Sequence, residues 1–289
     1  MKPTIWTTLQ TQEQRKLLPW LLPAPAQHDR PAPANLAVVA QGYTPISLME
    51  MDSVALLDRF DTKFVMTHGQ LLQALQELQN DYRILSVYGQ RLSHYRTLYF
   101  DTPDFALYNL HVNGRADRYK VRSREYVDSQ RFFFEVKHKI NTGRTIKDRI
   151  PTEHPLLQMD QEASNWLHGV FPYDCRTLGP KLSNSFTRLT LVSKNNCERV
   201  TVDVDLAFSR GSRTVHLDGI AIAEVKMDGG KGNSAFLKQM QAQRIHPSSF
   251  SKYCIGVSLL YDQVKKNTLK PRVLWLERMT GGMIYDCLG

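Results

Sequence analysis

Residues 116–126 read ADRYKVRSREY. Arg118, Lys120, Arg122 and Arg124 occupy every second position, and in a β-strand that spacing places all four on one face. Tyr119, Val121 and Ser123 take the other face. Aligned cations repel one another, and no i,i+4 partner of opposite charge relieves them as it can on a helix. Two readings are open: a basic face turned to solvent, or a face built against something strongly anionic. On the second reading, removing Arg122 weakens anion binding and leaves stability unchanged or raised. The choice rests on whether other strands repeat the pattern.

Several do. LDRFDTKFVM (57–66) alternates Arg59, Asp61 and Lys63 with Phe60, Thr62 and Phe64. RFFFEVKHKI (131–140) places Glu135, Lys137 and Lys139 together, and residues 144–150 place Lys147 with Arg149. Residues 185–193 carry Arg188, and ERVTVDVDLAF (198–208) aligns Arg199, Thr201, Asp203 and Asp205 opposite a run of valines. Residues 220–227 align Glu224 with Lys226, so FEVK (134–137) and AEVK (223–226) are two E-x-K strands. Period two with one charged face and one apolar face predicts antiparallel strands. Either the charged faces point to solvent, or the sheet closes with them inward and encloses a polyanion site.

The remaining segments read as helices and turns. Thr67 is an N-cap for a helix over 68–80, and further helices are expected over 154–171, 235–244 and 251–265. Strands at 82–88 and 94–101, a short helix near 105–111 and a hairpin around Asp218-Gly219 complete the pattern. Five prolines between positions 19 and 33 predict an extended or partly ordered arm over residues 1–40, with a short helix near 11–18. The expected division is an arm at 1–44, a body at 45–265 and a tail at 266–289.

The chain has 289 residues, 42% of them hydrophobic and 22% charged, with a net charge of +9. That balance supports a large core and an anionic partner. Four cysteines are scattered without a CxxC pair, which speaks against zinc and fits a reducing compartment. The N-terminus lacks a signal-peptide pattern and no apolar run is long enough to span a bilayer, so the expected location is the cytoplasm. No RNP-like or helix-turn-helix motif supports specific nucleic-acid binding. GGKG (229–232) lacks the spacing of a P-loop and reads as a turn. His94, His111 and His138 have no partners at ligand spacing and read as structural or surface residues. Phe132 and Phe134 read as core.

Carboxylates among the cations are suggestive. Glu135, Asp203, Asp205 and Glu224 are hard oxygen ligands suited to Mn²⁺ or Mg²⁺, which bridge carboxylates and substrate phosphates. Each is also a candidate for a salt bridge to a neighbouring strand.

Seven dispersed motifs, LDRFDTKF (57–64), YRTLYFDTPDFALY (95–108), RYKVRSREY (118–126), FFEVKHKINTGRTIKDR (133–149), VTVDVDL (200–206), AEVKMD (223–228) and FSKYCIG (250–256), stand in one order. Together they resemble the VTC domain of the CYTH-like triphosphate tunnel metalloenzyme superfamily, over roughly residues 46–261. The resemblance implies an α+β fold in which an antiparallel β-barrel forms a charged tunnel with flanking helices. It implies a metal-dependent polyphosphate polymerase that moves the γ-phosphate of ATP onto inorganic polyphosphate. Lys63, Arg118, Lys120, Arg122, Lys137, Arg188, Arg199, Lys226 and Lys252 are then the phosphate-handling residues, and Glu224 holds the metal. Arg59, Tyr99, Arg124, Lys139, Lys147, Arg149, Ser251 and Tyr253 are the further substrate-binding candidates, with Ser251–Tyr253 opening a helix that plugs or borders the tunnel. The superfamily's first E-x-E-x-K signature is Arg59-x-Asp61-x-Lys63 here, which weakens the first strand as a metal site. Two other functions share the same tunnel: a triphosphatase, with water as the acceptor, and a non-catalytic module that binds polyphosphate or nucleotide.

Overall fold

The alternating segments fold as strands, and one sheet takes them all. The structure is a computed structural model that describes residues 34–52, 59–228, 233–282 and 284. Among the described residues, eleven strands share the sheet. Eight form its path in the order β2 (Arg59–Thr67), β11 (Ile220–Asp228), β9 (Glu198–Arg210), β8 (Gly179–Ser193), β4 (Ser93–Asp101), β5 (Arg118–Tyr126), β6 (Arg131–Lys139) and β7 (Thr145–Thr152). Every neighbour along this path is antiparallel. Off the path, β1 (Thr44–Ile46) pairs with β3 (Tyr82–Leu85), β3 with β8, and β10 (Arg213–Leu217) with β9.

The sheet curls hard. Laid flat at a strand spacing of about 4.8 Å, β11 and β6 would lie about 24 Å apart, with β9, β8, β4 and β5 between them. Yet Lys137 on β6 and Glu224 on β11 lie close enough to couple electrostatically. The charged parity therefore lines a concave face. The expected closed barrel is not formed by hydrogen bonds: β2 and β7 are the ends of the path, and no pairing joins them among the described residues. The reason is local. On β2, the Lys63 carbonyl accepts from the Ser248 N–H at 2.8 Å, so the segment before residue 251 covers this strand where β7 would have to pair.

The concave face changes character along the strands. On β2 the parity runs from Lys63 to buried Val65, and on β11 from Glu224 to buried Ile222 and Ile220. On β8 it runs from Arg188 to Phe186 and Leu182. On β9 it crosses a bulge: Ser185 pairs with Ala207 but Thr187 pairs with Val204, and Asp205 sits in the left-handed region at φ 53°. A bulge inserts one residue and reverses the parity beyond it. Thus Leu206 and Phe208, not Ala207, continue the face begun by Asp203, and both join the core that Phe186 and Ile222 occupy.

A helix fills the apolar half. α7 (Lys252–Leu260) is buried from Tyr253 to Leu260, which explains its apolar run on every side. A Cβ on its Gly256 would lie 2.6 Å from Leu182 Cδ2 and from Phe208 Cδ1, so glycine lets the helix lie directly on β8 and β9. α8 (Lys270–Met279) adds Val273 and Leu276 to the same core, giving a place to residues that the sequence left as tail.

The convex face is covered by α3 (His68–Glu77) and α6 (Ala235–Ala242) over one half and by α5 (Gln161–His168) over the other. Thr67 does cap α3, with Gln70 completing the capping box. α5 is shorter than the expected 154–171 because Asp160 caps it, accepting from the Ala163 N–H at 2.8 Å. The short α4 (Ala106–Val112) is held by Asp101, whose carboxylate accepts from the Leu107 and Tyr108 N–H groups. The arm is not extended throughout: α1 (Ala34–Gln41) packs buried Leu36 and Ala40, one turn apart, onto α3 and the sheet. α2 (Leu48–Asp52) completes the described α-helices. The expected helix near 11–18 and the GGKG turn at 229–232 lie outside the described residues.

Candidate functional site

On the charged half of the concave face three carboxylates, Glu135, Asp203 and Glu224, each sit between cations. Glu135 on β6 takes Arg122 at 2.7 Å and Lys147 at 2.6 Å, with Arg124 at 4.0 Å. Asp203 on β9 takes Arg188 through two bonds, 2.5 and 2.8 Å, and Lys252 from the first turn of α7. Glu224 on β11 takes Lys63 from β2 and Lys226 at 3.3 Å. Burial alone would raise each acid's pKa, but the neighbouring cations outweigh it and hold all three below the usual carboxylate range. They are ionised acceptors.

Arg118, Lys120, Lys137 and Lys139 are different: none has an ion-pair partner among the described residues. Arg118 donates to the Arg115 carbonyl at 2.5 Å. Lys120 donates to Ser251 Oγ at 3.0 Å. Burial, with Arg122, Lys63 and Arg118 nearby, lowers the Lys120 pKa to about 8. Lys137 is lowered to about 7, first by burial; Glu224 pulls it up while Lys120, Arg122 and Lys63 push it down. These side chains line a cavity of about 1120 Å³ together with Lys63, Arg144 and Arg272. Among the described residues, Asp61 is its only carboxylate. Such a cavity attracts an anion of several charges: its cations are pre-placed, Lys120 and Lys137 are partly stripped of water, and most of the cations have no ion-pair partner among the described residues.

A pH dependence follows. In the empty protein Lys137 and Lys120 lose their protons at lower pH than in the unfolded chain, where a lysine titrates near about 10.4. Between the folded and unfolded values the unfolded state binds more protons, so the stability of the empty protein rises with pH across that window. A bound polyanion needs the ammonium forms. Tripolyphosphate affinity should therefore fall, by about tenfold or more, from about pH 7 to about pH 9. Titration calorimetry at the two pH values checks this, and Lys137→Arg should flatten the slope.

The other expected site residues fall into place unevenly. Tyr99 lies on β4 opposite Arg122 and hydrogen-bonds to it. Arg124 donates to Thr97 Oγ1 at 3.3 Å and sits 5.8 Å from the Tyr95 ring, while Arg149 lies 4.6 Å over the Phe133 ring. Both are held by aromatic shelves at the edge of the cluster. Arg199 reaches the Met51 carbonyl at 3.1 Å, away from the cavity lining. Arg59 pairs through its backbone with Asp228; its side chain lies outside the described residues. Ser251 caps α7 and orients Lys120.

Three expectations change. Tyr253 donates to the Asp101 carboxylate at 2.5 Å and is buried beneath Tyr99 and Tyr108, so it fixes α7 to α4 rather than facing substrate. Asp205 is turned out of the row by the bulge, toward His68, His94, Thr187 and Asp218. Arg122 is a buried ion-pair partner of Glu135, so removing it removes an attraction as well as a repulsion.

The metal expectation also narrows. Among the described residues no three His, Cys, Asp or Glu side chains group as a metal cage. Glu135 and Asp203 are 1% and 5% exposed and fully engaged by cations, whereas Glu224 is 18% exposed. Mg²⁺ is commonly held by one or two carboxylates plus substrate phosphates, and of these three Glu224 is the most accessible for that mode.

A family model described as the VTC domain matches residues 58–261, more than half of the chain. The chain belongs to the VTC domain family. Among solved structures, the VTC domain resembles a candidate adenylate cyclase of Vibrio parahaemolyticus at 12% identity and TM-score 0.41, covering 69% of this chain and 97% of that one. It resembles one of Bacillus halodurans at 15% and 0.43, covering 68% and 96%. It also resembles a candidate adenylyl cyclase of Hippeastrum with a dominant triphosphatase activity, at 15% and 0.43, covering 68% and 94%. No curated protein sequence matches. Among the described residues, no helix of the VTC domain is long and apolar enough to cross a membrane.

Sequence reasoning missed part of the cavity wall. His111, taken as structural or surface, lines it while contacting the Tyr119 carbonyl at 3.2 Å. Burial and the neighbouring Lys120 and Arg118 keep it neutral. Arg144 lay within a quoted motif but had no strand parity to mark it. Arg272 carried no signal, being one arginine in an unassigned tail.

Proposed function

We propose that this VTC domain is a polyphosphate polymerase: it binds ATP and transfers the γ-phosphoryl group to the end of an inorganic polyphosphate chain inside the curled sheet. The observation that supports this is the cavity of about 1120 Å³ whose lysines and arginines outnumber its carboxylates. It is larger than the roughly 300–1,000 Å³ of a small-molecule pocket, so a nucleotide triphosphate and a second anionic chain can share it. The curled sheet then acts as a tunnel for the chain.

Phosphoryl transfer asks for little covalent help from the protein; positioning and charge stabilisation dominate. Lys63, Lys120 and Lys137 draw the triphosphate to the concave face and offset the charge on its oxygens. Arg122 and Arg188, locked by Glu135 and Asp203, present fixed donors that need not reorganise as charge shifts. Lys252 is held on Asp203 and brings the start of α7 to the same cluster. The apolar half, filled by α7, keeps water from one side of the site. Glu224 would hold a divalent ion, Mn²⁺ or Mg²⁺, which would add positive charge beside the substrate phosphates. The second reading, triphosphate hydrolysis, uses the same groups, with water as the acceptor.

Incubation with ATP and Mn²⁺, followed by gel analysis of polymer and assay of orthophosphate, separates the readings. Long polymer is the expected product. Orthophosphate without polymer would replace the polymerase with a triphosphatase. Tight binding of polyphosphate with turnover at background, and no difference in Glu224→Gln, would leave a binding module.

A further inference from the structure

Two arginines in the cavity wall belong to none of the charged strand rows. Arg144 is exposed at the end of the 140–144 turn between β6 and β7. The turn is fixed by the Ile140 N–H to the Arg144 carbonyl at 3.0 Å and by Gly143 at φ 86°, a conformation that suits glycine. Arg272 is half-buried in the first turn of α8, and its Nη1 donates to Ser249 Oγ at 2.5 Å. Buried Val273 and Leu276 anchor that helix, so the guanidinium is presented by a packed element. Neither arginine has an ion-pair partner among the described residues. Both line the cavity that Lys63, Lys120 and Lys137 line, but from a turn and a helix end rather than from strand interiors. Arg272 also lies past residue 261, where the family match ends.

We propose that Arg144 and Arg272 form an outer subsite that grips phosphates of a long polyphosphate chain beyond the three held by the lysines. The proposal rests on the triphosphate-binding reading above. Its chemistry is plain: a triphosphate seated on Lys63, Lys120 and Lys137 leaves the two guanidiniums facing an open mouth, whereas a longer chain carries further charges to them. Guanidinium forks suit successive phosphate oxygens. The outer subsite would bias the site toward long chains and hold a growing end between transfers.

The test compares Arg144→Gln, Arg272→Gln and the double variant with the wild type, measuring equilibrium binding of inorganic tripolyphosphate and of long-chain polyphosphate at fixed salt. Each substitution should weaken long-chain binding by about tenfold, the loss of one charge-assisted hydrogen bond, and leave tripolyphosphate within about twofold. Unchanged long-chain binding would overturn the proposal, showing the arginines to be solvated charges. Equal losses for both ligands would also overturn it, placing them in the triphosphate site. Wild-type protein that bound long chains but not tripolyphosphate would remove the triphosphate reading instead, while arginine-dependent chain binding would still support the outer subsite.

Discussion

Replacing Lys137 with methionine should lower ATP turnover and tripolyphosphate affinity by about a hundredfold, the scale seen when one pre-placed donor to developing charge is removed, while raising the melting temperature of the empty protein. The two effects have one cause. Lys137 sits among Lys120, Arg122 and Lys63, with burial working against its charge and no ion-pair partner among the described residues. Without ligand it is an unfavourable charge; with ligand it is a phosphate contact. Methionine keeps most of the length and loses the charge. Steady-state kinetics, calorimetry and a thermal melt on the same preparation check the pair. A loss of activity together with a loss of stability would make Lys137 a structural residue.

Replacing Glu135 with glutamine should have the opposite character. Glu135 is 1% exposed and holds Arg122 and Lys147, with Arg124 close by. Breaking a buried ion pair from one side typically costs about 3–5 kcal/mol, because the partner charges are left buried without compensation. At about 2–4 °C per kcal/mol for a chain near this size, the melting temperature should fall by about 10 °C. Tripolyphosphate should restore more stability to Glu135→Gln than to the wild type, since the freed cations gain an anion. A melt unchanged by the substitution would contradict the placement of Glu135 at the centre of the cluster. Equal stabilisation of both proteins by ligand would separate that cluster from the anion site.

The strand rows were legible because period two needs no tertiary information: Arg118, Lys120 and Arg122 share a face wherever the strand goes. Their inward direction was not, since alternation does not say which face is concave. Asp205 shows a second limit. Its residue type and spacing continue the row of Asp203, but one left-handed residue reverses the parity, and a bulge depends on how β8 and β9 pair rather than on local sequence. Tyr253 shows a third. Next to Lys252 in a matched motif, it reads as a ligand, yet a helix turns successive residues by about 100°, and its hydroxyl meets Asp101. α7 itself was legible as a helix at the tunnel, but that its apolar run fills half of the concave face emerged only with the change from charged to apolar residues on β2, β11, β9 and β8. α1 was hidden by the prolines before it, and α8 lay in a tail without a strong periodic signal.

The central claim is that the concave face of the curled sheet is the polyanion site. A crystal structure with inorganic tripolyphosphate tests it most directly. Phosphate oxygens are expected within hydrogen-bond distance of Lys63, Lys120 and Lys137, with Glu135 still bound to Arg122. Tripolyphosphate bound only on the outer surface, with the cavity among these lysines empty of it, would contradict the account.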